Sequence, residues 1–151
     1  MTAADQPSAG AFEGREHRLP VRVYYEDTDF TGVVYHANYL RYFERGRSDF
    51  LRLAGADHRA LLGIETPIAF VVTRMEIDFQ RPARIDDALT VVTTYDAVRG
   101  ARISIRQRVV RDADPIAAAV VEVASIDLQG RPRRPPPALM ARLHPFLLPT
   151  G

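Results

Sequence analysis

Asp27 and Asp29 stand one residue apart in the stretch EDTDFTGVVYHANY, with Gly32, Tyr35, His36 and Ala37 just downstream. A carboxylate can attack a carbonyl or activate a water. Glycine permits a tight turn, and the residues after it open a helix near Tyr35–Asn38. The first amides of a helix lack intrahelical partners and carry the positive end of its dipole. Such amides polarise a carbonyl and stabilise the oxyanion that forms on attack. A thioester suits this equipment. Its thiol leaving group has a pKa near about 8.5 and departs as thiolate without a strong general acid. An amide would need a proton donor for its amine, and none is evident. By spacing alone the acids also fit a plainer role as turn and cap residues. Asp27 in particular reads as a turn acid, or as a carboxylate sharing charge with Asp29.

Other chemistries find less support. No G-x-S-x-G elbow occurs, and Ser104 and Ser125 fall inside strand-like stretches. The four histidines, His17, His36, His58 and His144, are scattered without metal-ligand spacing, so no metal site is expected. Cysteine is absent, which excludes a thiol nucleophile and fits a cytoplasmic location. All 20 basic residues are arginine, which excludes lysine Schiff-base chemistry and a P-loop lysine. G-x-G-x-x-G is missing. The 19 acids leave a net charge of +1, so no overall field points to nucleic acid. No apolar run is long enough for a membrane span, and the first residues lack the apolar core of a signal peptide.

The elements that must hold the DTD stretch can be read around it. Residues 1–17 read as a disordered tail, and RLPVRVYYE (18–26) as a strand. Residues 38–54 have helical period, with Tyr39, Tyr42, Phe43, Gly46, Phe50, Leu51, Leu53 and Ala54 on one face. Arg41, Glu44, Arg45, Ser48, Asp49 and Arg52 fall on the other. Gly46 on the apolar face predicts close approach to another backbone, and Arg47 on its flank is a snorkelling side chain, an ion-pair partner or an active-site residue. Gly55 ends the helix. A short helical turn at 57–63 precedes four strands, near 68–80, 88–98, 102–110 and 116–128. In the third of these Ile103, Ile105, Gln107 and Val109 alternate with Arg102, Ser104, Arg106 and Arg108, giving one buried and one wet face. Residues 133–151 form a Pro- and Arg-rich extension with one short helix near Ala138–Leu143. The order is α+β, an antiparallel sheet on one main helix.

The long pattern VRVYYEDTDFTGVVYHANYLRYFERGRSDFLR, with FVVTRMEIDFQRPARIDDALTV after it, resembles the 4-hydroxybenzoyl-CoA thioesterase family of hotdog-fold proteins. It is most similar to the Tol-Pal-associated acyl-CoA thioesterase branch, from about Pro20 to Pro132. The resemblance implies a hotdog domain at 18–132, in which a curved antiparallel sheet of about five strands wraps one long helix. It implies Asp29 as the catalytic carboxylate, acting as nucleophile or as general base. It implies an oxyanion hole at the helix start, at the amide of His36 with Tyr35 and Ala37 beside it and Gly32 shaping the loop. The His36 side chain is then orienting or catalytic. Phe30, where small residues are common in relatives, would reshape the acyl pocket. The expected substrate is a small or medium acyl-CoA, with no cofactor, since coenzyme A arrives as part of the substrate. Arg81 and Arg84 are candidates for its phosphates, as are Arg99, Arg131, Arg133 and Arg134. Homodimers or homotetramers with coenzyme A at a subunit interface are implied, as are envelope or lipid-synthesis proteins as partners. Two alternatives stand beside this one. A hotdog dehydratase or hydratase would use a His–acid pair, and a weakly active scaffold would serve envelope machinery.

Overall fold

The computed structural model describes residues 2–148. Six strands form a single antiparallel sheet: β1 (Ala11–Glu13), β2 (Glu16–Arg22), β3 (Ile68–Phe79), β4 (Ala88–Arg99), β5 (Arg102–Arg111) and β6 (Asp114–Asp127). Their spatial order is β1-β2-β4-β5-β6-β3, so β1 and β3 are the two edges. The main helix, α1 (Asn38–Leu53), lies across the sheet between β2 and β3 in sequence. Two short helices, α2 (His58–Leu62) and α3 (Pro137–Leu143), complete it.

The sheet has one strand more than expected, and it begins inside the residues read as a tail. β1 pairs with β2 as a hairpin, turning at Gly14 with φ of +61°. A buried cross-link holds it. His17 on β2 is fully buried, and its Nε2 lies 2.7 Å from Oδ2 of Asp49 on α1. The same oxygen accepts the Gly10 amide at 2.8 Å. Asp49 was placed on the wet side of α1 by periodicity, but it is buried because it satisfies these two donors. Burial is the largest influence on His17 and pushes its pKa down, with Asp49 opposing it. The imidazole is therefore held neutral near physiological pH.

The remaining elements follow the hydropathy pattern. Tyr39, Tyr42, Phe43 and Phe50 of α1 are buried against Leu89, Val91, Ile103, Ile105, Val109 and Val121 of the sheet. Ile103, Ile105, Gln107 and Val109 all point inward along β5. Leu53, counted with the apolar face, is 42% exposed at the helix end. Register shifts interrupt three pairings, at Val72/Arg74 in β3, Tyr95/Ala97 in β4 and Val109/Val110 in β5. Bulges of this kind bend strands and increase twist, which curves the sheet around α1.

At Gly46 the helix backbone lies directly on sheet side chains, not on another backbone as expected. A Cβ built there would lie 2.8 Å from Thr93 Oγ1, 2.9 Å from Val91 Cγ1 and 3.0 Å from Gln107 Nε2. Directly beneath, Gln107 donates to the Phe43 carbonyl (2.8 Å) and to Thr93 Oγ1 (2.9 Å). Its Oε1 accepts from Arg47, 2.9 Å away. Arg47 also pairs with Glu44 at 2.7 Å and is only 7% exposed. It is a buried ion-pair partner and not a snorkelling side chain. We expect Gly46→Leu to destabilise the fold by about 1–3 kcal/mol through overpacking. Thermal unfolding should show a Tm lower by about 2–4 °C for each kcal/mol lost. An unchanged Tm would mean that the helix can lift off the sheet freely.

Candidate active site

The DTD stretch is built as a small hairpin between the end of β2 and the start of α1. A single 3-10 turn at Tyr25–Asp27 opens it. Asp27 is buried, and Oδ2 accepts the Tyr24 amide (2.9 Å) and the Tyr42 hydroxyl (3.0 Å). The Asp27 carbonyl accepts the Tyr35 amide at 2.9 Å. One residue thereby ties both ends of the hairpin to α1. Burial, and next the Asp27 carboxylate, hold the Tyr42 phenol well above its ordinary pKa, so it remains a donor. Asp27 is a structural acid, the plainer of its two readings.

Asp29 has a different setting. Thr28 bridges Val34, the Asp29 amide donates to the Val33 carbonyl (3.0 Å), and Gly32 donates to the Asp29 carbonyl (3.1 Å). Gly32 turns the chain with φ of +84°, a conformation that favours glycine. Oδ1 of Asp29 accepts both the Thr31 hydroxyl (2.5 Å) and the Thr31 amide (2.8 Å). These contacts, the hydroxyl first, hold the carboxyl below the ordinary value of 3.8. Among the described residues Oδ2 has no hydrogen-bond partner. Asp29 thus presents one anchored oxygen and one open oxygen, and it is ionised at neutral pH. Thr31 went unnoticed as a supporting group in the sequence, although a Thr two residues after an Asp is the signal for such a turn.

The start of α1 offers the second component. Asn38 donates to the Tyr35 carbonyl, Tyr39 to His36 and Leu40 to Ala37. The Tyr35 and Gly32 amides are already bonded, so neither is available as an oxyanion donor. The amides of His36 and Ala37 have no acceptor among the described residues. They open beside a surface cleft of about 280 Å³ lined by Val33, Val34, His36, Tyr39, Phe79 and Arg81. The His36 ring is exposed, 4.5 Å from Tyr35 and 6.2 Å from Phe79 between centroids. Phe30 is fully exposed and narrows nothing within one chain.

The arginines separate into two groups. Arg81 lines the cleft and pairs with Asp114 at 3.2 Å. Arg84 lies in register with Val33 of the hairpin. Arg99, Arg131, Arg133 and Arg134 sit at the other end of the sheet, around the β4–β5 turn and after β6. At about 3.3 Å per strand residue that is roughly 30 Å from the hairpin. The structure does not bring those four to the site. Among the described residues no helix is long and apolar enough to cross a membrane.

With this geometry in place, the comparisons decide the family. Residues 23–143 match the family model described as thioesterase-like superfamily. The chain belongs to that superfamily. It is 47% identical over 110 residues to the acyl-CoA thioesterase YbgC of Haemophilus influenzae, covering 73% of this chain and 80% of that protein. It is 40% identical over 126 residues to the acyl-CoA thioester hydrolase YbgC of Escherichia coli, covering 82% and 92%. A probable thioesterase from Bartonella henselae superposes with a TM-score of 0.78 at 46% identity, over 80% of this chain and 99% of that one. The hotdog fold and the thioesterase resemblance of the DTD pattern are both borne out.

The Thr31 contacts make a testable statement about Asp29. In Thr31→Val the hydroxyl donor is lost while the amide stays. Carbon-detected NMR titration should show the Asp29 carboxyl moving up toward its ordinary value. An unmoved Asp29 titration would show that Thr31 does not set its ionisation.

Proposed function

We propose that this chain hydrolyses acyl-CoA thioesters with the Asp29 carboxylate, while the His36 and Ala37 amides hold the carbonyl oxygen. The observation that carries the reading is the pairing, on one short hairpin, of an ionised carboxylate with an open oxygen and two unpartnered helix-start amides. Relatives sharing 40–47% of their residues with it are acyl-CoA thioesterases, which supports the reaction class.

The steps follow from the groups. The thioester carbonyl oxygen rests against the two amides, where negative charge is stabilised as it develops. The open Asp29 oxygen either attacks the carbonyl carbon or takes a proton from an attacking water. The carbon–sulfur bond then breaks, and coenzyme A leaves as thiolate. In the nucleophilic route water next opens the acyl–Asp29 anhydride, and in both routes the free acid is released. Both routes need an ionised carboxylate, which the Thr31 contacts favour. Arg81, which lines the cleft, and Arg84, in register with Val33, are suited to the coenzyme A phosphates. Acyl-CoA is a cytoplasmic metabolite, and we assign the enzyme's work to that compartment.

A second copy is part of the proposal. β3 is a sheet edge of 12 residues, with Val71 39%, Val72 47% and Phe79 53% exposed. A long edge of this kind pairs readily with another strand. Antiparallel pairing of β3 with its counterpart would cover it and bring a second chain beside the cleft. Light scattering should give at least twice the 16.9 kDa of one chain. A stable monomer at micromolar concentration would remove the shared interface from the proposal.

The decisive test of the site is Asp29→Asn. This nearly isosteric change should leave folding intact and lower turnover of an acyl-CoA by at least about a hundredfold. Asp27→Asn should instead lower the melting temperature, because it weakens the acceptor for Tyr24 and Tyr42. Near-normal hydrolysis by Asp29→Asn would remove the proposed mechanism.

A further inference from the structure

We infer that the N-terminal hairpin is an acid-released clasp, closed over His17 at neutral pH and opened when that imidazole takes up a proton. The hairpin precedes residues 23–143, which match the family model, and the clasp is separate from the thioester chemistry.

Little main-chain pairing holds the hairpin down. β1 pairs with β2 from Ala11↔Arg18 to Glu13↔Glu16 and has no strand on its other side. His17 itself stays in the sheet, because β2 also pairs with β4, where Thr93 lies opposite it. The part that can lift is β1 with Gly10, and this part forms a lid over the imidazole, which is fully buried. Gly10 sits so close that a Cβ there would lie 2.8 Å from His17 Nε2 and would overlap the Arg18 carbonyl. Phe12 stands edge-on to the imidazole, 5.4 Å between centroids, and stacks on Phe146 at 4.1 Å. Arg15, at the turn, donates to the Leu147 carbonyl, so the lid also holds the chain after α3.

With the lid closed, one ring nitrogen is satisfied and the other is not. Nε2 lies 2.7 Å from Asp49 Oδ2, the oxygen that also accepts the Gly10 amide. Nδ1 is buried and has no partner among the described residues. A neutral ring donates through Nε2 and leaves a lone pair at Nδ1. A protonated ring carries a hydrogen there too, and a buried donor without an acceptor is costly. Asp49, on α1, is the charged group that acts on the ring. It already pairs with Arg52, whose Nη1 is 3.6 Å from Oδ1, so a second cation gains less from it. The other neighbours are uncharged: Phe12 on β1, Thr93 on β4 and Phe50 on α1. Behind Phe12 lies Phe146 of the 3-10 turn His144–Phe146, whose His144 is exposed. Glu13, Glu16 and Arg18 project to the opposite face of the sheet.

Lifting the lid lets water reach both ring nitrogens, so the open form binds the proton more readily than the closed one. Closed, His17 is held below its ordinary 6.5, chiefly by burial. Closure is therefore at full strength above pH 6.5 and weakens as the pH falls below that value. Opening frees the β2 edge at Glu16–Arg18, the Phe50 ring and the chain around Phe146.

Native-state hydrogen exchange of the unaltered protein tests the clasp. The reporter is the Gly10 amide, which the closed lid holds against Asp49, and the β5 amides are the reference. After correction for intrinsic exchange, Gly10 protection should fall about five- to tenfold between about pH 7.5 and about pH 5.5, the range that one proton allows, while β5 stays level. In His17→Gln the side-chain amide keeps a donor for Asp49 and takes up no proton, so Gly10 protection should be the same at both ends of the range. Flat protection in the unaltered protein overturns the inference, as does a fall that β5 shares equally or one that persists in His17→Gln. Should His17→Gln leave the hairpin open throughout, NMR titration of the His17 ring in the unaltered protein decides instead. A midpoint below 6.5 that coincides with the Gly10 change upholds the clasp, and one at or above 6.5 overturns it.

Discussion

The height of α1 above the sheet is set at Gly46, and the site inherits its geometry from that contact. The helix contributes no side chain at that contact, so Gln107 of β5 can reach the Phe43 carbonyl and the Arg47 guanidinium. A lower helix brings Tyr42 down to Asp27 and Tyr39 to within 5.6 Å of the Phe79 ring. The helix start is then held in place against the hairpin, with the His36 and Ala37 amides left without acceptors among the described residues. A helix raised by one methyl group would carry the whole hairpin with it.

Asp27 and Asp29 show how one residue type serves two ends. The first is enclosed and accepts from a backbone amide and a phenol, so it fixes conformation. The second is open and is supported on one side alone, by Thr31. Order is concentrated where the loop is anchored, and a carboxylate oxygen without a partner among the described residues is left where the loop is open. A loop that gave both acids the same surroundings would lose either its shape or its open oxygen.

The strands from β3 to β6 and the span of α1 were legible because local period and burial agree, as in Ile103, Ile105 and Val109. The first hairpin was not. Ala11–Glu13 is too short to show alternation, and the hairpin is held by Asp49, 32 residues away from His17 in sequence. Asp49 was misread for a related reason, and Arg47 stayed open between roles. A helical wheel assigns charge to solvent, but these two charges meet partners that only the tertiary fold supplies. At the site, residue types and spacing indicated a carboxylate, a turn and a helix start, and no more. The family resemblance implied different roles for Asp27 and Asp29, and the fold gives the two acids different neighbours. The unpartnered amides belong to the backbone, which has no signature in side-chain type, so only the position of the helix start pointed to them.

The bulge in β3 has a consequence for how that strand is counted. Val72 pairs with Val123 and Arg74 with Glu122, so Thr73 is an extra residue without a partner of its own. Before it, Ile68, Phe70 and Val72 share the inner face; after it, Met75, Ile77 and Phe79 do. The strand changes from even to odd midway, while the odd residues of β6 face inward from Ala117 to Asp127. Thr73 is therefore a reading-frame shift written into a strand. Relatives lacking the extra residue, aligned without a gap across this position, would appear to exchange their inner and outer residues over half of the strand, whereas deleting Thr73 itself would restore unbroken alternation and leave both faces as they are.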